Sequence, residues 1–274
     1  MPITRTPMVD DNGSGTTGTI LNNAWKQELY DQIDAFSSPG AFIDANILPS
    51  TIHNWFPPGF GKLDTVINVN AGSVACLITG LVAGNPGQRV VIRNLSADPT
   101  TVISIGHANA GSTAANQFQC FATSAPYPIG LRGSVELVYS GSNWLMVNAA
   151  PGAWITPLFN ASDYAIGAGT GSWTLTAGNI NNCAYCVHGR TLSWTLGVNG
   201  TSIAGAPVGL TRKLFGNFTA TTNAAQWIGS LGGVHTVGLY TVAPTIVTFF
   251  RDYLGTVWPA GPLGFKTAGS YEIV

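Results

Sequence analysis

The residues that could do chemistry in this chain are few, and each grouping has a chemical condition to meet. Gly13-Ser-Gly15-Thr-Thr-Gly18 spells the glycine pattern of a dinucleotide site and opens onto a helix-like segment. In such a site the glycines let backbone approach a pyrophosphate, after a buried strand and inside a βαβ unit. Only twelve residues precede Gly13, with two prolines and two adjacent aspartates, and no βαβ pattern follows. The motif therefore reads as part of a flexible anchor, and no cofactor is expected. Cys183-Ala-Tyr-Cys186, with His188 beyond it, is half of a zinc pattern. On a strand, residues three apart face opposite sides, so those thiols would not converge. No second pair completes the set, because Cys76 and Cys120 lie far back in the chain. Asp10-Asp11 reads as a solvated or particle-facing pair rather than a calcium site, so no metal is expected.

Hydrolytic chemistry has little support. No G-x-S-x-G occurs, and none of His53, His107, His188 and His235 has a plausible serine or cysteine partner by sequence logic. Glycan cleavage requires two carboxylates at a set separation. The last 123 residues contain Asp163, Asp252 and Glu272 and no other acid. A pair shared between subunits keeps a glycan-cleaving spike as a lesser alternative; the leading expectation is a protein that is not an enzyme. Aromatic residues are the remaining signal. Five of eight tryptophans (Trp154, Trp173, Trp194, Trp227, Trp258) fall in this C-terminal block. Trp194 is in phase with Leu192, Leu196 and Val198, which places it in the core, and Trp173 is similar. Trp227 and Trp258 fall in stretches that read as loops, Thr221–Gly233 and Leu254–Gly264. Loop aromatics beside Asn, Gln and His suit a saccharide, which stacks an apolar face and fans out hydroxyls. Asn223, Trp227, His235, Asp252 and Trp258 are the receptor or glycan candidates. A plug for a barrel end or a trimer axis is the other reading of the same tryptophans.

The elements that must position these residues are mostly strands. Charged residues make up 8% of 274 residues, against roughly a quarter in an average soluble domain. Glycine numbers 34, and the net charge is −1. That composition suits a turn-rich β protein that buries extra surface by self-association, and it supplies no basic field for nucleic acid. No apolar run reaches the roughly 18 to 20 residues that span a bilayer, and the first residues lack the apolar core of a signal peptide, so synthesis in a cytoplasm is expected. Residues 1–38 read as an attachment segment. Within it Leu21, Trp25, Leu29, Ile33 and Phe36 form one stripe of a helix over about 20–36, which must dock on another surface. A Pro/Gly connector follows over 39–62. Period-two segments then mark a middle β module (63–149) and a C-terminal β module (152–274), with a boundary at Ala149-Ala-Pro-Gly152 and turns at Gly189-Arg190 and Asn199-Gly200. No short-period internal repeat is evident. Asn94, Asn160, Asn199 and Asn217 begin Asn-x-Ser/Thr sequons, which read as ordinary polar turns.

Three stretches together resemble bacteriophage head and tail fibre proteins. Ile3–Thr19 with Asn22-Asn23-Ala-Trp25 and Glu28–Asp34 resembles a virion-attachment segment. Gly87–Ser96, Ile103–His107, Ala115–Phe118 and Ser134–Tyr139 with Trp144 resemble a small fibre β module. Trp173-Thr-Leu, Tyr185 with Gly189–Trp194, and Thr248–Arg251 are similar to terminal β-sandwich modules of phage adhesins. No long shaft is present, neither collagen-like repeats nor heptads, so a short spike is implied. The resemblance implies a homotrimer on the virion surface, with residues 1–36 on a capsid or tail protein and the C-terminal module outward. Arg5, Asp10, Asp11, Trp25, Leu29 and Ile33 are the anchor candidates. The expected fold is mainly β, with two small antiparallel sandwich or barrel modules. The expected function is adhesion to a host-surface glycan, without nucleic-acid binding or membrane insertion. A capsid decoration protein without receptor binding is the alternative.

Overall fold

Alternation of apolar and polar residues with a period of two accounts for most of the local structure. In Thr65–Asn70, Thr65, Ile67 and Val69 are buried while Val66, Asn68 and Asn70 are half-buried, as a pleated strand over a core requires. The computed structural model describes residues 41–46, 49–61, 64–98, 100–231, 234–252 and 254–274, with backbone alone at Ala41 and over 223–237. The attachment segment 1–38, its helix, the glycine motif and the anchor candidates Arg5, Asp10, Asp11, Trp25, Leu29 and Ile33 lie outside the described residues. Residues 42–274 form one compact unit. The chain is mainly β, at 55% strand, and among the described residues no helix reaches seven residues.

The first ten strands are β1 (Ala41–Asn46), β2 (Thr51–Ile52), β3 (Thr65–Asn70), β4 (Cys76–Ile78), β5 (Arg89–Asn94), β6 (Ile103–Ile105), β7 (Phe118–Gln119), β8 (Tyr127–Ile129), β9 (Ser134–Tyr139) and β10 (Trp144–Ala150). They form a six-stranded sheet in the order β1-β3-β5-β9-β10-β7 and a four-stranded sheet in the order β2-β4-β6-β8. An antiparallel module is the expectation from sequence; this block is instead partly parallel. β3 runs parallel to β5, and β2, β4 and β6 are parallel in turn. Over β1 to β6 the chain alternates between the sheets and each strand lies beside the previous one of its own sheet, a solenoid-like arrangement. Paired positions lie 25 residues apart at Thr65/Val90, 26 at Ile52/Ile78 and 27 at Ile78/Ile105. That drift in rung length hides the repeat from a fixed-period reading. The antiparallel hairpin β9–β10 completes the block, its turn closed by the Ser140 hydroxyl, which accepts from the amides of Ser142 and Asn143.

The remaining strands are β11 (Tyr164–Thr174), β12 (Ile180–His188), β13 (Thr191–Lys213), β14 (Asn223–Leu231), β15 (Val234–Ala243), β16 (Ile246–Phe250) and β17 (Gly261–Glu272). Every pairing among them is antiparallel, and β13–β16–β15–β14–β17–β13 is a closed circuit. The 23-residue β13 overrides the turn expected at Asn199-Gly200. Those two residues face Gly264 alone, between the pairs Val198/Phe265 and Thr201/Leu263, so the site is a bulge. A bulge and a tight turn make the same demand for positive φ, here +65° at Gly200, so the sequence signal is shared. The Asn179 side-chain amide donates to the carbonyls of Asn199 (3.1 Å) and Gly200 (3.0 Å), satisfying the groups that the bulge frees. At the bulge β13 exchanges β12 for β11 as its neighbour. Gly189-Arg190 does form the expected turn between β12 and β13.

The two sheet systems meet through polar contacts that fix their ends. The Tyr127 hydroxyl donates to the Val187 carbonyl and accepts from the Gly189 amide. Ile155 and Tyr185 exchange backbone hydrogen bonds of 2.8 and 3.0 Å. Ser124 takes up the C-terminal end through its amide and hydroxyl, both donating to the Val274 carbonyl.

Candidate functional site

The five receptor candidates do not form one site. The expected loop Thr221–Gly233 contains β14, which pairs with β15 along its length. Backbone register sets Asn223 opposite Val242, Trp227 opposite Gly238 and His235 opposite Ser230. Their side chains are outside the description. Asp252 folds back on its own loop, where its carboxylate accepts from the amides of Leu254 (2.9 Å) and Thr256 (3.1 Å). Hydrogen bonding from Thr256 holds that carboxyl below the ordinary aspartate range. Trp258 corrects the sequence reading most clearly. It is 1% exposed and packs on Phe265 at 5.6 Å, so no ligand can stack on it. A loop can deliver a side chain inward, and period-two logic says nothing about that. Trp258→Phe is expected to leave ligand binding unchanged, because the ring is buried in the core. The same substitution should cost about 1 kcal/mol in a urea melt, whereas Trp258→Ala should cost about 3–5 kcal/mol. Trp173 and Trp194 are buried as their phase requires.

Two groupings that the sequence keeps apart come together in the first block. The His53 imidazole lies 2.7 Å from the Thr79 hydroxyl, which is 2.8 Å from the Ser112 hydroxyl. The arrangement resembles a relay, but Thr79 and Ser112 are buried and Thr79 donates to the Ile52 carbonyl. A nucleophile must meet its substrate, and these hydroxyls instead tie rungs together. The His107 Nδ1 accepts from the Cys120 amide at 3.0 Å. Burial pushes the Cys120 thiol up to about 12 and the Cys76 thiol to about 11, so both stay protonated and unreactive at neutral pH.

The feature with binding geometry is a half-open cleft of about 300 Å³ beside the start of β11. Its floor comes from three strands. Tyr164 and Arg212 are cross-strand partners on β11 and β13, and Cys183 arrives on β12. The Arg212 Nε donates toward the Tyr164 hydroxyl (3.4 Å) and Nη2 toward the Cys183 sulfur (3.8 Å). The guanidinium lies over the Phe215 ring, 3.6 Å from its centroid. Burial pushes the Tyr164 phenol up to about 12, so it remains neutral. The wall comes from the chain before β11. Phe159 stacks on Tyr164 with centroids 5.9 Å apart and planes 21° apart, and Leu158 beside it is 95% exposed. Asn160 caps the following 3-10 turn by accepting from the Ser162 amide and hydroxyl. Asn181, Asn182 and Asp163 also line it, and the Asp163 carboxylate is 3.6 Å from the Lys213 ammonium. An aromatic face, three asparagine amides and a cation can hold a polyhydroxylated ligand in one orientation. Two carboxylates flanking a bond are missing from this lining.

None of these residues is among the five receptor candidates; Cys183 and Asp163 came up in the sequence only as a half zinc pattern and a lone acid. One signal was present. Arg212 follows Leu210 at the same phase of a strand, and a cation at an inward phase in so sparsely charged a chain is an anomaly. No protein-family model matches the chain, and no curated protein matches it.

Proposed function

We propose that this chain is a non-enzymatic structural protein of a phage particle, a short trimeric spike held by residues 1–36 and presenting residues 152–274 to host-surface glycans. The observation that carries the adhesive part of this reading is the cleft itself, where the Phe159 face, the Asn160 and Asn182 amides and Arg212 converge without a catalytic acid pair. Sugar recognition asks for this mixture, an apolar platform ringed by amide hydrogen-bonding groups. The stacked rungs of the first block suit a stiff, stubby support. Phe42 and Phe56, both largely exposed on the first rungs, support contact with sister chains about one axis.

The full-length protein, fluorescently labelled, should bind host cells, and Phe159→Ala with Asn182→Ala should weaken that binding by roughly tenfold or more, since one stacked ring and one amide contact are each worth roughly 1 kcal/mol. The same double variant should keep its melting temperature within a few degrees, because both side chains are exposed. Unchanged cell binding would remove the cleft from the adhesion reading. Sedimentation should give three times the chain mass, and a monomer would end the trimeric part of it.

A further inference from the structure

We propose that the cleft recognises an acidic saccharide, with the Arg212 guanidinium receiving a carboxylate or equivalent oxyanion carried on the sugar; this rests on the adhesion reading above. Arg212 is 3% exposed, yet its hydrogen-bond partners are the Lys213 carbonyl (2.6 Å), the Tyr164 hydroxyl (3.4 Å) and the Cys183 sulfur (3.8 Å). None is a carboxylate. Among the described residues no acid lies within ion-pair distance of it, and the nearby Asp163 pairs with Lys213 instead. A buried cation without an anion is strongly disfavoured unless something completes it. The Phe215 face offsets part of the desolvation but brings no countercharge. Among the described residues two of the five N–H donors of the guanidinium have no acceptor, and the group lines an open cleft. A planar fork with spare donors matches a carboxylate better than a neutral hydroxyl.

The surroundings narrow the ligand further. Phe159 offers a platform for a sugar ring, and the Asn160 and Asn182 amides suit its hydroxyls or an acetamido group. The Asp163 carboxylate on the same lining disfavours a densely charged polyanion, so one acidic group per sugar fits best. The cleft is at the small end of ligand sites, enough for the terminal unit of a glycan rather than a long chain.

Saturation-transfer NMR on the full-length protein tests this with N-acetylneuraminic acid and glucuronic acid, against glucose as the neutral sugar and acetate and phosphate as free anions. The acidic sugars should bind, glucose should bind at least roughly tenfold more weakly, and neither free anion should displace the acidic sugars at equal concentration. Arg212→Lys keeps the charge but loses the fork and should weaken acidic sugars by roughly tenfold. Asn160→Asp provides a second variant in which the turn cap survives, since only acceptor contacts are used there. Its added negative charge at the cleft should weaken acidic sugars by roughly tenfold and leave glucose unchanged. Equal binding of acidic and neutral sugars, indifference to Asn160→Asp, or displacement by acetate or phosphate each overturns the proposal. Cell binding that acidic sugars fail to inhibit overturns it while adhesion stands. Acidic-sugar binding without cell binding supports the site and sinks adhesion instead.

Discussion

Trp194→Ala is expected to remove about 3–5 kcal/mol of stability, enough to leave the barrel partly unfolded at physiological temperature. Trp194 is fully buried near the start of the long strand β13, where it pairs with Tyr185 on β12 and with Gly269 on β17. Its ring stacks on Phe215 at 6.0 Å and meets Tyr240 and Phe249 edge-on at 5.6 and 5.7 Å. The neighbour at position 269 has to be small, since a Cβ there would come within 2.8 Å of the indole ring. Backbone hydrogen-bonded on both sides cannot collapse into the space that the ring leaves, so the cavity persists and its cost adds to lost burial. Trp194→Phe separates volume from hydrogen bonding. The indole nitrogen has no partner to lose, so that variant should cost only about 1–2 kcal/mol. Urea melts followed by circular dichroism read both values. A loss below about 1 kcal/mol for the alanine variant would mean that the barrel core is centred elsewhere.

Asn94→Leu should be comparably damaging in the solenoid-like block, at about 3–6 kcal/mol, although it exchanges a polar residue for an apolar one of similar size. Asn94 is fully buried at the end of β5. Its side-chain amide donates to the carbonyls of Thr101 (3.0 Å) and Ile129 (2.9 Å), and its side-chain oxygen accepts from the Ser96 amide (3.1 Å). Leucine leaves three buried backbone groups without partners, at about 1–3 kcal/mol each. Asn94→Asp offers no rescue, because a carboxylate faces two carbonyl oxygens and carries a buried charge. Asn70→Ala is the control. That residue is half-buried and accepts from the amides of Gly72 and Ala97, which water can replace, so the loss should stay under about 1 kcal/mol. Equal melts for the two positions would contradict the assignment of Asn94 as the internal cross-link. The sequon at Asn94 accordingly belongs to the packed interior.

The candidate site was less legible than the fold. Trp258 carries the residue type and the loop position of a sugar platform and is nonetheless core, because loop membership does not fix the direction in which a side chain points. Phe159 and Asn160 precede β11 in a stretch with no strong periodicity, and their use depends on Tyr164 and Arg212 being neighbours across two strands. Arg212 was visible as a cation at an inward phase, but not what surrounds it.

The sequence by itself determined that the chain is mainly β, that Thr65–Asn70 and Ser134–Tyr139 are strands, and that Trp173 and Trp194 face a core. These are local properties: side-chain alternation and β-branched content act within a few residues. The tertiary structure alone decided which strand lies beside which. It set β3 parallel to β5, carried β13 through Asn199-Gly200 as one strand, and brought Tyr164, Cys183 and Arg212 to one cleft. The pleat of a strand specifies which face is buried and leaves its neighbour open, so pairing is settled only when the whole core closes.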